Sequence, residues 1–500
     1  MKNGIAILTV FLLTSLNAFA QGPEDALRLG QPAYGVSARS MSMGNAMIGL
    51  SQGFDATYFN PAGLAQSYQS QVSMGLNFLG YNNAANYLNT SGSLSSSQTD
   101  LSNFGLVYPF PTTRGSFVIA LGYNRGSDFN SALSFNAFNS KSSIVPSLYY
   151  DDYPYDANYD IPYFVGLEDS ATHGIALNKN VQQTGTVYET GGLNNWLAAG
   201  AVDIGQDFSI GLTLDILSGS YHYARTFTET DPLGNWPITL PLSDLPDAKG
   251  LGSFVLNDNI DQDLSGWNAK AGFLYRLPGD DGKIIARFGG TIEFPTFMTV
   301  NEKYSDAGTA NFLTGSSYSY TTPGGNNNYD VTTPFKFGFG ASGEISILTI
   351  AADVQYVDWT EMQFSTSAEP TLDDSYISNL NSEIKQQFRA TTNFHVGGEI
   401  ALMNSDYSSF VPYIRGGFGY SESPYIGDGS AQAQKYASGG IGFKIQNSID
   451  LDLAYQYGWW NTSEILYTDP PSTGAPNGTA YGTTSKITNS NFMFTFEYNF

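Results

Sequence analysis

The 500-residue chain contains no cysteine. That absence excludes a thiol nucleophile, a disulfide framework, a cysteine-ligated zinc site and lipoprotein anchoring. Charge is scarce as well. Asp, Glu, Lys and Arg make up 13% of the residues, against roughly 25% in ordinary globular proteins. Basic residues are the scarcer kind: 21 Lys and Arg face 45 Asp and Glu, a formal net charge of −24. A nucleic-acid partner is therefore not expected, because phosphate binding needs clustered cations. Long apolar runs are missing too. The run at residues 5–16 is shorter than the ~17–25 residues of a spanning helix.

Glycine, serine, threonine, asparagine and aromatics fill the space instead, and mean hydropathy is only −0.19. Such a chain suits two solvents, lipid on one face and water on the other. Lys2, the apolar run and Ala18-Phe19-Ala20 form a secretory signal pattern, so residues 1–20 are expected to be removed and the mature chain to begin at Gln21.

From residue 70 onward the pattern has period two. Val72, Met74, Leu76 and Phe78 alternate with Ser73, Gly75 and Asn77, and Ile210, Leu212, Leu214 and Ile216 alternate with Ser209, Gly211, Thr213 and Asp215. Alternate side chains lie on opposite faces of a strand. This phasing predicts strands near 71–80, 103–110, 115–125, 194–204, 206–217, 266–277, 283–294, 334–345, 347–357, 391–402, 409–420, 436–445, 449–459 and 489–500. The apolar face of these strands holds no Lys, Arg, Asp or Glu, as lipid exposure requires. Short connections (111–114, 205, 278–282, 346, 403–408, 446–448) alternate with long ones (81–102, 126–193, 218–265, 295–333, 358–390, 421–435, 460–488), read here as periplasmic turns and extracellular loops.

Phe492, Phe494, Phe496, Tyr498 and Phe500 form an aromatic row at the end of the chain. It is expected to close the ring against the strand near 71–80 and to be read by the barrel-assembly machinery. Tyr455, Tyr457, Trp459 and Trp460 are expected in an interfacial girdle. The fold class is thus all-β: a transmembrane antiparallel barrel of about fourteen strands over residues 70–500, multi-pass in the bacterial outer membrane among lipid and lipopolysaccharide. Residues 21–69 do not alternate and are too few for an independent core. They are expected to plug the lumen, with Asn60 as a helix N-cap and Pro61 in the first turn.

The stretch Ala38-Arg39-Ser40-Met41-Ser42-Met43-Gly44-Asn45-Ala46, followed by Asp55-Ala56-Thr57-Tyr58-Phe59 and the motif Asn60, Pro61, Ala62, Gly63, Leu64, Ala65, resembles the N-terminal hatch of the FadL/TodX family. The match covers about a tenth of the chain. The resemblance implies a fourteen-stranded barrel with a hatch, passive uptake of hydrophobic molecules such as long-chain fatty acids, and release sideways through a wall opening at a strand kink. Gly289-Gly290, Gly397-Gly398 and Gly439-Gly440 are candidates for such a weak point. The hatch also resembles PorV-like barrels of the type IX secretion system, which leaves docking of exported proteins as the alternative. On either reading the chain is expected to act as a monomer, without catalysis, cofactor or metal.

Phasing turns Lys270, Arg276, Arg287, Lys336, Arg415 and Lys444 inward, with Asp203, Asp215, Glu293, Glu344, Asp353, Glu399, Asp450, Asp452 and Glu497. These either form a structural network or offer a cation to an amphipathic ligand; Arg287, Arg415, Lys336 and Arg276 are the binding candidates, arginine being matched to a carboxylate. Tyr149, Tyr150, Tyr153, Tyr155, Tyr159, Phe312, Tyr318 and Tyr320 either line an entry groove or coat a solvated loop. Residues 49–53 match G-x-S-x-G, and Gly338, Gly340 and Gly343 match G-x-G-x-x-G, but neither has the strand–turn–helix setting its chemistry needs. His173, His222 and His395 are isolated. The acidic run 258–263 lacks the glutamate that ends an EF-hand loop, so a plain acidic loop is preferred to a calcium site.

Overall fold

No water is available in hydrocarbon to satisfy an open sheet edge, so a β-structure that spans a membrane must close on itself. The computed structural model describes residues 22–32, 35–150, 158–168, 177–236, 245–279, 284–367, 372, 374–403, 408–470 and 478–500. The signal pattern at residues 1–20, together with Tyr153, Tyr155 and His173, lies outside them. Nineteen strand segments follow in order: β1 (Gln71–Tyr87), β2 (Thr90–Phe110), β3 (Phe117–Asp128), β4 (Ser131–Asn139), β5 (Val181–Asp203), β6 (Phe208–Thr230), β7 (Leu251–Pro278), β8 (Ile284–Glu293), β9 (Phe297–Phe312), β10 (Ser317–Thr321), β11 (Gly325–Thr332), β12 (Lys336–Ile345), β13 (Leu348–Asp358), β14 (Gln363–Thr366), β15 (Ala390–Ala401), β16 (Phe410–Ser421), β17 (Gln434–Ile445), β18 (Ile449–Thr468) and β19 (Ala480–Asn499).

They make a closed antiparallel barrel of fourteen strands. Pro295 and Pro334, which cannot donate to a ladder, interrupt two of these strands, splitting β8 from β9 and β11 from β12; a 3₁₀ turn at Trp359–Glu361 splits β13 from β14. β4 and β10 belong to the tall rim beyond the apolar band. Ring closure is by β19 on β1, in register from Gln71↔Asn499 to Tyr87↔Thr483, and Phe500 exchanges backbone bonds with Ser70 at 2.9 and 3.1 Å.

The outward rows are those the phasing predicts. Ile210, Leu212, Leu214 and Ile216 are exposed while Ser209 and Thr213 are buried; Phe104, Leu106 and Phe496 belong to the same outer band. Tyr455 and Tyr457 are exposed on it, but Trp460 takes the opposite face and packs near Tyr436. Several segments expected to be loops are strand. Residues 81–102 form the top of a hairpin that turns at Leu88 and Asn89, both at positive φ, and much of 218–265 and 460–488 is ladder as well. These stretches stand in water on their outer side, so no apolar row marks them in the sequence. The acidic run 258–263 is likewise no loop. It lies in β7, where Arg225 binds Asp258 and His222 meets Asp261 at 2.6 Å.

The N-terminal segment folds inside this ring. It contains α1 (Pro23–Gly30), α2 (Ala38–Ser42), α3 (Ala56–Phe59) and a 3₁₀ turn at Pro61–Gln66. An irregular segment leaves backbone groups without partners, and wall side chains supply them. Asp353 accepts from Ile48 N–H at 2.7 Å, Gln71 from Phe54 N–H at 2.8 Å and Thr495 from Ala38 N–H at 2.8 Å. Ser342 and Thr213 donate to the carbonyls of Gly49 and Thr57, both at 2.9 Å. Asn60 caps the turn as predicted, accepting from Ala62 N–H, and its amide donates to the Ile48 and Phe273 carbonyls at 2.8 and 2.9 Å.

Close approach explains the inward glycines. A Cβ at Gly417 would strike Gly44 and Met43 backbone, one at Gly397 would strike Met43, and one at Gly289 would strike the Ile48 carbonyl. The glycine pairs at 289, 397 and 439 lie in paired strands, and one glycine of each pair, Gly289, Gly397 or Gly440, seats the N-terminal segment. Gly417→Val should destabilise the folded barrel by about 1–3 kcal/mol, the usual range for overpacking. Urea unfolding of the purified protein in detergent would measure this.

Candidate functional site

Most of the inward charges are gathered into ion pairs along the wall, some of which also reach the N-terminal segment. Glu399 on β15 lies between Arg39 of α2, which donates to it at 3.2 and 3.3 Å, and Arg415 on β16, which donates at 2.5 Å and also binds Asp452. Arg276 binds Asp203 at 2.5 Å. Arg287 binds Glu344 at 2.5 Å and donates to Gln66 at 2.9 Å. Glu293 sits between two ammonium groups, Lys270 at 2.8 Å and Lys336 at 2.9 Å. Lys270 also donates to the Tyr58 carbonyl at 2.5 Å and lies 4.7 Å from that ring's centre.

Above the Lys270–Glu293–Lys336 cluster is a cavity of about 120 Å³. Ile48, Tyr58 and Phe59 contribute to its lining from the N-terminal segment, as do Leu29, Gln31 and Pro32 at the end of α1; the wall contributes Asp215, Asn268, Asp353 and His395 among others. Of the four binding candidates, Lys336 lines it and Arg276, Arg287 and Arg415 do not. The lumenal asparagines and Arg39 were missed in the sequence. The asparagines share the inward phase of the charges already named, so phase alone would have found them; Arg39 lies on a helix whose contacts no periodicity gives. Ser51 of the G-x-S-x-G match is buried, with its hydroxyl 3.4 Å from the Asn60 carbonyl, whereas His395 lines the cavity. No cluster of three or more metal-ligating side chains occurs among the described residues.

The cavity reaches the wall at a seam. The β2–β3 ladder ends at Asn103↔Asn124, and β3 bulges between Arg125 and Ser127 where it pairs with β5. Gly126 and Ser127, at that bulge, line the cavity, as do Leu193 and Asn195 of β5. Arg125 fills the seam, 3.7 Å from Asp100 of β2 and 3.6 Å from Asp128, and donates to the Gly191 carbonyl at 2.8 Å.

The other side is roofed. Arg28 of α1 lies 3.7 Å over the Tyr221 ring and binds Asp25 at 2.6 Å. α1 packs with α6 (Asp374–Gln387) in an apolar cluster that includes Leu27, Leu29, Ile377 and Leu380. Higher still, Phe135, Ile144, Phe227, Phe254 and Phe312 form a dry cap. Phe312 is buried there, Tyr318 and Tyr320 pack against it, and Tyr320 stacks on Phe164 at 3.9 Å, so these aromatics fill the cap instead of lining an open groove. Helix α4 (Val145–Tyr150) ends on Tyr149 and Tyr150, and Tyr159 donates to the Gly324 carbonyl at 3.0 Å. Glu229 pins the cap: it accepts from Ser143 at 2.5 Å, Ile144 N–H at 2.8 Å and Gln183 at 2.7 Å.

With the geometry in place, the fold can be compared with known ones. A FadL homologue from Pseudomonas aeruginosa superimposes with a TM-score of 0.54 at 13% identity, covering 94% of this chain and 98% of its own. A TodX mutant described as a monoaromatic hydrocarbon channel gives 0.52 at 14%, covering 93% and 99%. The Pseudomonas putida toluene transporter TodX gives 0.50 at 13%, covering 94% and 99%. The chain has the fold of the FadL/TodX outer-membrane channels. Comparison with protein-family models and with curated proteins gave no match.

Two outcomes follow from the site. Arg415→Ala leaves Glu399 and Asp452 short of their buried partner and should cost about 3–5 kcal/mol in urea unfolding. Burial pushes the Glu229 carboxyl, which lies in the rim, up to about 7. The folded rim therefore holds a proton that the unfolded chain releases near 4.5, and cap stability should fall as pH rises from 5 through 7. Amide exchange at residues 143–148 should be faster at pH 8 than at pH 5 once corrected for intrinsic rates, and Glu229→Gln should remove that difference.

Proposed function

We propose that the protein is an outer-membrane channel for passive uptake of small hydrophobic or amphipathic molecules. On this reading residues 1–20 are the secretory signal and 21–69 the hatch. The observation that carries it is the lumenal cavity, roofed by α1, floored by the N-terminal segment and touching the one seam where the described β2–β3 ladder stops. A hatch bonded to the wall on many sides blocks a water-filled route, and a ligand that dissolves in lipid needs none. It can leave sideways past Gly126 and Ser127. The solved neighbours are hydrocarbon or toluene channels and a FadL homologue, which supports transport over catalysis.

Size narrows the cargo. An engineered cavity of ~150 Å³ holds benzene, so about 120 Å³ admits a small ring or short chain, and a long-chain fatty acid would need the roof or seam to open. Among the binding candidates, Lys336 lines the cavity, while Arg276 joins wall to wall through Asp203, Arg287 reaches Gln66 of the hatch and Arg415 shares Glu399 with Arg39.

Ser127→Trp should fill the mouth of the seam. Uptake of a labelled monoaromatic hydrocarbon by cells producing this variant should drop at least tenfold relative to cells producing the natural chain, at equal amounts of folded barrel. Undiminished uptake would remove the seam as the exit.

A further inference from the structure

The polar groups along the proposed route carry an unexpected sign. At the roof, Arg28 is set against Asp25 and Glu189. In the cavity, Lys270 and Lys336 are set against Glu293, Asp215 and Asp353. At the seam, Arg125 is set against Asp100 and Asp128. Carboxylates outnumber cations at each level. Each of these cations already has a carboxylate within 4 Å. Asp215 differs: it lines the cavity, is only half-buried, and makes no hydrogen bond or salt bridge among the described residues. Acceptors without a hydrogen-bond donor continue toward the seam, with Asn195 Oδ1 and Asp100 Oδ2 both buried. A buried acceptor without a donor is costly, and a site built this way rewards a ligand that brings one.

We propose that the cavity selects small hydrophobic amines, with the ammonium or amine head donating to Asp215 and the hydrocarbon part lying against Leu29, Ile48, Phe59 and Leu217. The inference rests on the channel reading above and narrows it. A fatty-acid carboxylate would meet Asp215 and find every cation on its way already engaged. A hydrocarbon without a head would leave the acceptors as they are.

The test uses the purified full-length chain in detergent at pH 7 and three probes with one tail: hexylamine, hexanol and hexanoate, measured by isothermal titration. The expected result is hexylamine binding at least tenfold tighter than hexanoate, with hexanol between them. Asp215→Asn should bring the amine-to-carboxylate ratio close to one, and heat-modifiable migration in gels would verify that this variant folds. If it does not fold, the ranking of the three probes on the natural chain decides alone. Hexanoate binding tightest, or three equal affinities, overturns the amine inference and leaves the channel reading standing. Binding of none of the probes, with no uptake of monoaromatic hydrocarbon by cells producing the chain, overturns both.

Discussion

Everything in this protein depends on giving each backbone polar group a partner where water is absent. In the wall the partners come from the ring itself, closed by the β1–β19 ladder. Inside the ring the N-terminal segment is irregular and cannot supply its own, and serine, threonine, glutamine, asparagine and aspartate from the wall complete it. Unmet groups cost a few kcal/mol each, about 1–3, so these bonds fix where the segment lies. The inward glycines follow from the same need, because backbone reaches backbone only where no Cβ intervenes. The cavity is what remains after that fit, between the seated segment and α1.

Charge serves the same end and then exceeds it. Glu399 with Arg39 and Arg415 ties wall to segment, and Glu293 with Lys270 and Lys336 ties three wall strands together, through groups that neutralise one another. Removing one member would leave a buried charge exposed to a poor dielectric, so these clusters are structural whatever else they do. Asp215 stands outside that accounting, with no hydrogen bond or salt bridge of its own among the described residues.

The membrane-spanning fold was legible because hydrocarbon imposes a strict alternation: Ile210, Leu212, Leu214 and Ile216 can be read in no other phase. The inward set followed from the same rule, and it named Asp215, Glu293 and Lys336 correctly as lumenal. The rim was not legible. Strands with water on their outer face, such as residues 90–97, alternate serine with serine, glycine or leucine, and a polar row beside another polar row has no visible period. The seam was missed for a different reason. Glycine pairs are visible in the sequence as weak points, yet Gly289 and Gly397 are pressed against Ile48 and Met43, while the irregularity beside the cavity is a bulge at Gly126, set by which residues β3 pairs with. Pairing partners are a property of the whole ring, not of the strand.

The closing ladder has a bearing on biogenesis. Gln71 reaches Asn499 across 428 positions of sequence, so the first strand waits for the last. Until then a partly made chain carries two unsatisfied strand edges and rows of bare phenylalanine, the features that drive sticking to other chains. Contacts this distant in sequence also form slowly. The closing ladder therefore cannot form before both of its strands have been made.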